Sequence, residues 1–205
     1  MHANKPYVIG LTGGIGTGKS EAARYLASLG AAHFDADAVS RALTAPGGAA
    51  LDDIRERFGD GVFNPDGTLD RAALGRIVFG DAAWRRALEA ILHPLVQREM
   101  LRQMDEAAES GAKVILLDVP LLFETGMDAL CDETWCMTVD RETQISRVSA
   151  RDRLTREEIE ARIESQMPAE ERASRATHVI DSGQSVERTR QALSQLYHQA
   201  LKRAE

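Results

Sequence analysis

The chain has 205 residues, 43% of them hydrophobic and 28% charged, the make-up of an ordinary folded domain with room for a sizeable core and an inserted subdomain. Its formal net charge of −7 argues against bulk nucleic-acid binding, which draws on a basic surface. No run of roughly 18 apolar residues suggests a membrane span, no signal-peptide core precedes the first strand, and Cys131 and Cys136 are too few for a disulfide framework or a zinc set, so a cytoplasmic protein with both thiols packed as small apolar groups is expected.

Met1-His2-Ala3-Asn4-Lys5 leads straight into Tyr7 to Thr12, an apolar run that reads as a first strand. Gly13-Gly14-Ile15-Gly16-Thr17-Gly18-Lys19-Ser20 follows and completes the pattern G-x-x-x-x-G-K-[ST]. In a strand–loop–helix setting this is a phosphate-binding loop: backbone N–H groups, a helix N-terminus and one ammonium converge on a polyphosphate. Lys19 should reach the β- and γ-phosphates and Ser20 should ligate Mg²⁺, with Gly14, Gly16, Thr17, Gly18 and Glu21 completing the stretch that meets a nucleoside triphosphate. Asn4-Lys5-Pro6-Tyr7 lacks the aspartate of the guanine motif N-K-x-D, and Asn64 is followed by Pro65, which argues against a GTPase switch.

Ala22, Ala23, Leu26 and Leu29 give the first helix its apolar spacing, and Gly30 ends it. Ala32 to Phe34 leads into Asp35-Ala36-Asp37, read as a short strand whose two carboxylates face one side. Such a pair can hold magnesium water and accept a hydroxyl proton; either aspartate can instead cap the next helix. From about 38 to 112 the pattern is helical, broken at Pro46-Gly47-Gly48 and at Asn64-Pro65-Asp66-Gly67, with Asp70 and Asp81 as N-caps. Pro94 suits the first turn of a long helix that runs to about Ser110 and closes at Gly111. His93 is a lone histidine, better suited to packing or capping than to a metal.

Val114 to Leu117 is a continuous apolar run of the kind buried in a parallel sheet. It ends at Asp118, which is placed either to meet Mg²⁺ through water or to form a cap or turn. Glu133 to Val139 reads as another strand, followed by helices at about 142–153 and 156–166, the second opened by a Thr155/Glu158 capping box. Arg147 and Arg151 are i, i+4 neighbours, able to close over a transferring phosphoryl group or to pair with nearby carboxylates such as Asp152. Arg153, Arg156 and Arg162 read as a solvated face. Thr177 to Ile180 is a last short strand, and Asp181-Ser182-Gly183 turns into a terminal helix at about 186–203. Strands alternating with helices predict an α/β fold with an open parallel sheet and active residues at the strand carboxyl ends.

The ordered set Leu11 to Ser20, Asp35-Ala36-Asp37 with Arg41, His93-Pro94-Leu95, Asp118 to Glu124, Arg147 with Arg151-Asp152, and Val179-Ile180-Asp181 with Gly183 resembles the dephospho-CoA kinase family over almost the whole chain. The resemblance implies a three-layer P-loop kinase core at about 1–37, 112–140 and 171–205, a helical substrate-binding insert at about 38–111, and a helical lid at about 141–170. It implies ATP-dependent phosphorylation of the ribose 3′-hydroxyl of dephospho-CoA, with Mg²⁺ and no nucleic acid, membrane or obligatory protein partner. On it, Asp37 is the general base, acting with Lys19, Arg147 and Arg151. Thr12, Asp37, Arg41, His93, Pro94, Leu121, Leu122 and Glu124 meet the acceptor, Ser20, Asp35 and Asp118 face the metal, and the Asp181 to Gly183 turn lies near adenine. Two positions depart from the family's habit: Glu21, where a small residue is usual, and Ser182, where many relatives have asparagine.

Overall fold

The computed structural model describes residues 5–204; residues 1–4 and 205 lie outside them. Tyr7–Gly13 forms β1, Ala32–Asp35 β2, Val114–Asp118 β3, Glu133–Thr138 β4 and His178–Asp181 β5. Among the described residues these make one sheet in the order β2-β3-β1-β4-β5. β1 is parallel to both neighbours, with Leu11 opposite Asp118 on one side and Trp135 on the other. Strands buried on two faces need side chains that are apolar throughout, which is why Val114 to Leu117 carries no alternation.

Lys19–Ser28 (α1) and Val186–Arg203 (α9) cover one sheet face. Ala22, Ala23 and Leu26 with Leu193, Tyr197 and Ala200 pack on Ile9, Leu11, Val114, Leu116, Trp135 and Met137. Arg141–Asp152 (α6) and Arg156–Glu164 (α7) form a second small core around Ile145, Val148 and Ile159. The capping box is as read: Thr155 accepts from the Glu158 backbone while Glu158 accepts from the Thr155 backbone. Ala169–Arg175 (α8) is a helix that the spacing did not reveal; its apolar content is too low to show a stripe.

The chain divides into two compact units, one running through Phe34 and resuming at Met104, the other Asp35–Gln103. The second contains Ala36–Leu43 (α2), Leu51–Phe58 (α3), Arg71–Gly80 (α4) and most of Ala82–Glu109 (α5). Its own core joins Ile54, Val62, Leu74 and Val78 to Trp84, Leu88 and Ile91. Asp70 caps α4 through the N–H groups of Ala72 and Ala73, and Asp81 Oδ1 accepts from Ala83.

Two local expectations are corrected here. Pro94 does not open a helix; it lies inside the 28-residue α5. Both Pro94 and Ala90, whose carbonyl lacks an N–H partner because of the ring, are exposed, so water can satisfy that carbonyl and the helix continues. Asp35 and Asp37 do not share an extended segment. The strand stops at Asp35, and Asp37 stands in the first turn of α2.

Candidate active site

The phosphate loop joins β1 to α1 across the middle of the sheet. Gly16 and Gly18 adopt left-handed backbone (φ 76° and 82°), a conformation that other residues reach only at a cost. At Gly16 a Cβ would also lie 2.7 Å from Val148 Cγ2. Thr17 closes the loop on itself: its N–H and Oγ1 both reach the Gly14 carbonyl, at 3.2 and 2.8 Å. Helix α1 then starts with Gly18 as its N-cap and no capping side chain, leaving first-turn N–H groups for an anion.

Lys19 extends from that first turn to Asp118 at the end of β3 and forms an ion pair with its Oδ1. The other oxygen, Oδ2, lies 3.3 Å from His33 Nε2 on β2. Burial pushes the Asp118 carboxyl up, but the hydrogen bond from His33 and the charge of Lys19 outweigh it and hold the group below the usual carboxylate range. Asp118 is thus an ionised, buried acid rather than a helix cap. His33 did not stand out in the sequence because nothing there says that β2 lies beside β3.

Arg147 on α6 donates to Ser182 twice, through Nη1 to Oγ at 2.9 Å and through Nη2 to the carbonyl at 2.8 Å. Ser182 Oγ in turn donates to the Thr17 carbonyl at 2.8 Å. The serine that departs from the family's habit therefore ties the loop after β5 to the phosphate loop. Arg151, one turn further on, forms a bidentate pair with Asp152 at 2.7 and 2.8 Å, and Arg156 pairs with Glu142 and Glu160. Glu21 is exposed and paired with Arg24, so its carboxylate is engaged along α1 itself.

Thr12 is buried and donates to the Pro120 carbonyl at 3.0 Å, fixing the start of the Leu121 to Glu124 stretch. In that stretch Leu121 is half-buried and Glu124 exposed. Leu122 is fully buried, and its Cδ2 lies 2.9 Å from where a Cβ on Gly10 would sit. Both cysteines are free. Burial, with help from Asp128 and Asp132, pushes the Cys131 thiol up to about 12.

In the second unit, Asp35 Oδ1 accepts from the Asp37 and Ala38 N–H groups at 2.8 and 3.1 Å, and its Oδ2 faces Arg41 at 3.6 Å. Asp35 is therefore the cap of α2, and it fixes the backbone that carries Asp37 and Arg41. Both of those residues are exposed. His93 is half-buried on α5 beside exposed Pro94. No cluster of three or more His, Cys, Asp or Glu able to hold a metal occurs among the described residues. No described helix is long and apolar enough to cross a membrane.

A family model described as dephospho-CoA kinase matches residues 7–187. The chain is 50% identical over 183 residues to a dephospho-CoA kinase of Symbiobacterium thermophilum, covering 89% of this chain and 77% of that one. A crystal structure of a Thermus thermophilus protein superposes with a TM-score of 0.80 at 38% identity, covering 95% of this chain and 97% of the other. The dephospho-CoA kinase from Campylobacter jejuni superposes with a TM-score of 0.72 at 26% identity, covering 97% and 98%.

Proposed function

The chain belongs to the dephospho-CoA kinase family, and on that premise we propose that it transfers the γ-phosphoryl group of ATP to the ribose 3′-hydroxyl of dephospho-CoA, giving coenzyme A and ADP. The observation that carries this reading is the pairing of Lys19, at the mouth of a complete phosphate loop, with ionised Asp118 on the adjacent strand. It sets an ammonium and an acid side by side where a nucleotide polyphosphate meets a helix N-terminus.

Asp37 accepts the 3′-hydroxyl proton as that oxygen bonds to the γ-phosphorus, and the bond to the bridging β–γ oxygen breaks to release ADP. Lys19 follows the charge onto the β- and γ-oxygens. Arg147, held beside Gly18 by Ser182, and Arg151 on the same helix neutralise the transferring group as the 141–170 segment closes. The Ser20 hydroxyl and the Asp118 carboxylate are the oxygen donors suited to Mg²⁺, a hard cation that here would screen the phosphate charges. Asp35, whose Oδ1 caps α2 and whose Oδ2 faces Arg41, is the third position assigned to the metal in this reading. Arg41, His93, Pro94, Leu121 and Glu124 are the acceptor contacts in this reading.

Incubating the protein with Mg-ATP and, separately, dephospho-CoA, adenosine monophosphate and shikimate tests it. Phosphate should appear on the 3′-oxygen of dephospho-CoA; preferential phosphorylation of another acceptor overturns the assignment.

A further inference from the structure

Ile15, at the tip of the phosphate loop, has both of its main-chain polar groups held by side-chain amides. Its N–H donates to Gln166 Oε1 at 3.1 Å, and its carbonyl accepts from Gln144 Nε2 at 2.5 Å. The two glutamines come from opposite ends of the same segment. Gln144 lies in α6, and Gln166 follows the end of α7. Gln144 is buried alongside Ile145 and Val148, so its amide needs a fixed partner. Arg172 of α8, itself 4% exposed, donates through Nη2 to the carbonyl of Met167, the residue after Gln166, at 2.8 Å.

These bonds determine which way the loop peptides face. In a trans peptide the carbonyl of one residue and the N–H of the next point in opposite directions. With the Ile15 N–H directed to Gln166, the Gly14 carbonyl turns the other way, to Thr17. With the Ile15 carbonyl directed to Gln144, the Gly16 N–H is aimed away from α6. A Cβ on Gly14 would lie 3.2 Å from each of Gln144 Nε2, Gln166 Oε1 and Arg172 Nη1. A side chain at position 14 would crowd these three polar ends, each of which would have to give by a few tenths of an ångström.

We propose that Gln144 and Gln166 are positioning residues of the ATP site, holding the phosphate loop in its polyphosphate-accepting shape and coupling that shape to both arms of the lid. This rests on the reading of the loop as an ATP site. The two amides have opposite duties: Gln166 must accept and Gln144 must donate. A carboxylate can accept but cannot donate, so the same replacement has opposite expected effects at the two positions.

The test is titration calorimetry with ATP on the full-length protein, together with steady-state kinetics on ATP and dephospho-CoA. Gln166→Leu and Gln144→Glu should each weaken ATP binding and raise the ATP KM by about tenfold, the scale of one hydrogen bond lost from a buried network. The KM for dephospho-CoA and the urea midpoint should stay near those of wild type. Gln166→Glu should bind ATP more tightly than Gln166→Leu. Wild-type ATP affinity in Gln166→Leu, a parallel rise in both KM values, or Gln166→Glu binding more weakly than Gln166→Leu would overturn the proposal. The half-buried Gln166 pair decides the matter even where Gln144→Glu fails to fold. ATP binding needs no acceptor, so a wild-type protein that does not bind ATP refutes the underlying reading, whereas unaltered variants refute only the clamp.

Discussion

Around the phosphate loop, side chains hold one another: Lys19 and His33 meet on Asp118, Arg147 on Ser182, and Ser182 on the Thr17 carbonyl. On α2 the groups lie nearer the solvent: Asp37 and Arg41 are exposed on an eight-residue helix whose first turn is fixed by the Asp35 cap, and Arg41 faces Asp35 Oδ2. The first arrangement suits a polyphosphate, whose charge has to be met by groups already in place. The second suits a neutral hydroxyl, which needs one well-placed proton acceptor and little else. In the proposed reaction the network would meet the polyphosphate and the capped helix the hydroxyl.

Breaking the acceptor side should have the largest effect on turnover. Asp37→Ala is expected to lower kcat by about 10²–10⁴ with ATP affinity unchanged by calorimetry; turnover like wild type would remove Asp37 as the base. On the network side, Lys19→Ala is expected to lower kcat/KM by roughly 10²–10³, and near-normal kcat/KM in steady-state assays would refute its placement.

Asp118→Asn sharpens the contrast through pH. The folded-state pKa of Asp118 is depressed, so its stabilising contribution is present above its unfolded value of about 4 and is lost as pH falls through the folded value. The urea midpoint of wild type should exceed that of the variant at pH 6, and the gap should narrow below about pH 4. A gap that stays constant into acid would show that the carboxylate's charge is not what stabilises the site.

The smallest effect on catalysis is expected from Pro94→Ala. Restoring an N–H for the exposed Ala90 carbonyl should raise stability by about 1–3 kcal/mol, seen as a higher melting temperature, while the lost acceptor contact should appear as a higher KM for dephospho-CoA with little change in kcat. A lower melting temperature would mean that the ring packs usefully.

The core was the more readable half of the sequence. Val114 to Leu117 and Tyr7 to Thr12 announce buried strands by their apolar content, and the glycine loop announces a phosphate ligand by its spacing between a strand and a helix. The Thr155/Glu158 box and the Asp70 cap were equally plain, because both depend on residues within one turn. Longer-range partnerships were hidden. His33 acquires its role from strand order, and Gln166 reaches a residue 151 positions away. Gln144 did leave a trace, as a polar residue on the buried face that Ile145 and Val148 define. Asp35 and Asp37 were misread as one extended pair because alternation over three residues fits a strand end and a helix start equally well. That Leu122 is fully buried was hidden too, because motif membership says nothing about which face a side chain takes.

The placement of β1 at the centre of the sheet also bears on how the protein is made. The phosphate loop is synthesised well before the strands on either side of it, β3 and β4, which lie about a hundred residues further along the chain. The 99 positions between Lys19 and Asp118 take on the order of 5–20 s to translate. Throughout that interval a nascent chain carries an apolar strand with both edges unpaired, the condition that invites aggregation and chaperone capture. A message truncated before Val114 would encode every residue of the loop and neither of the strands that flank it.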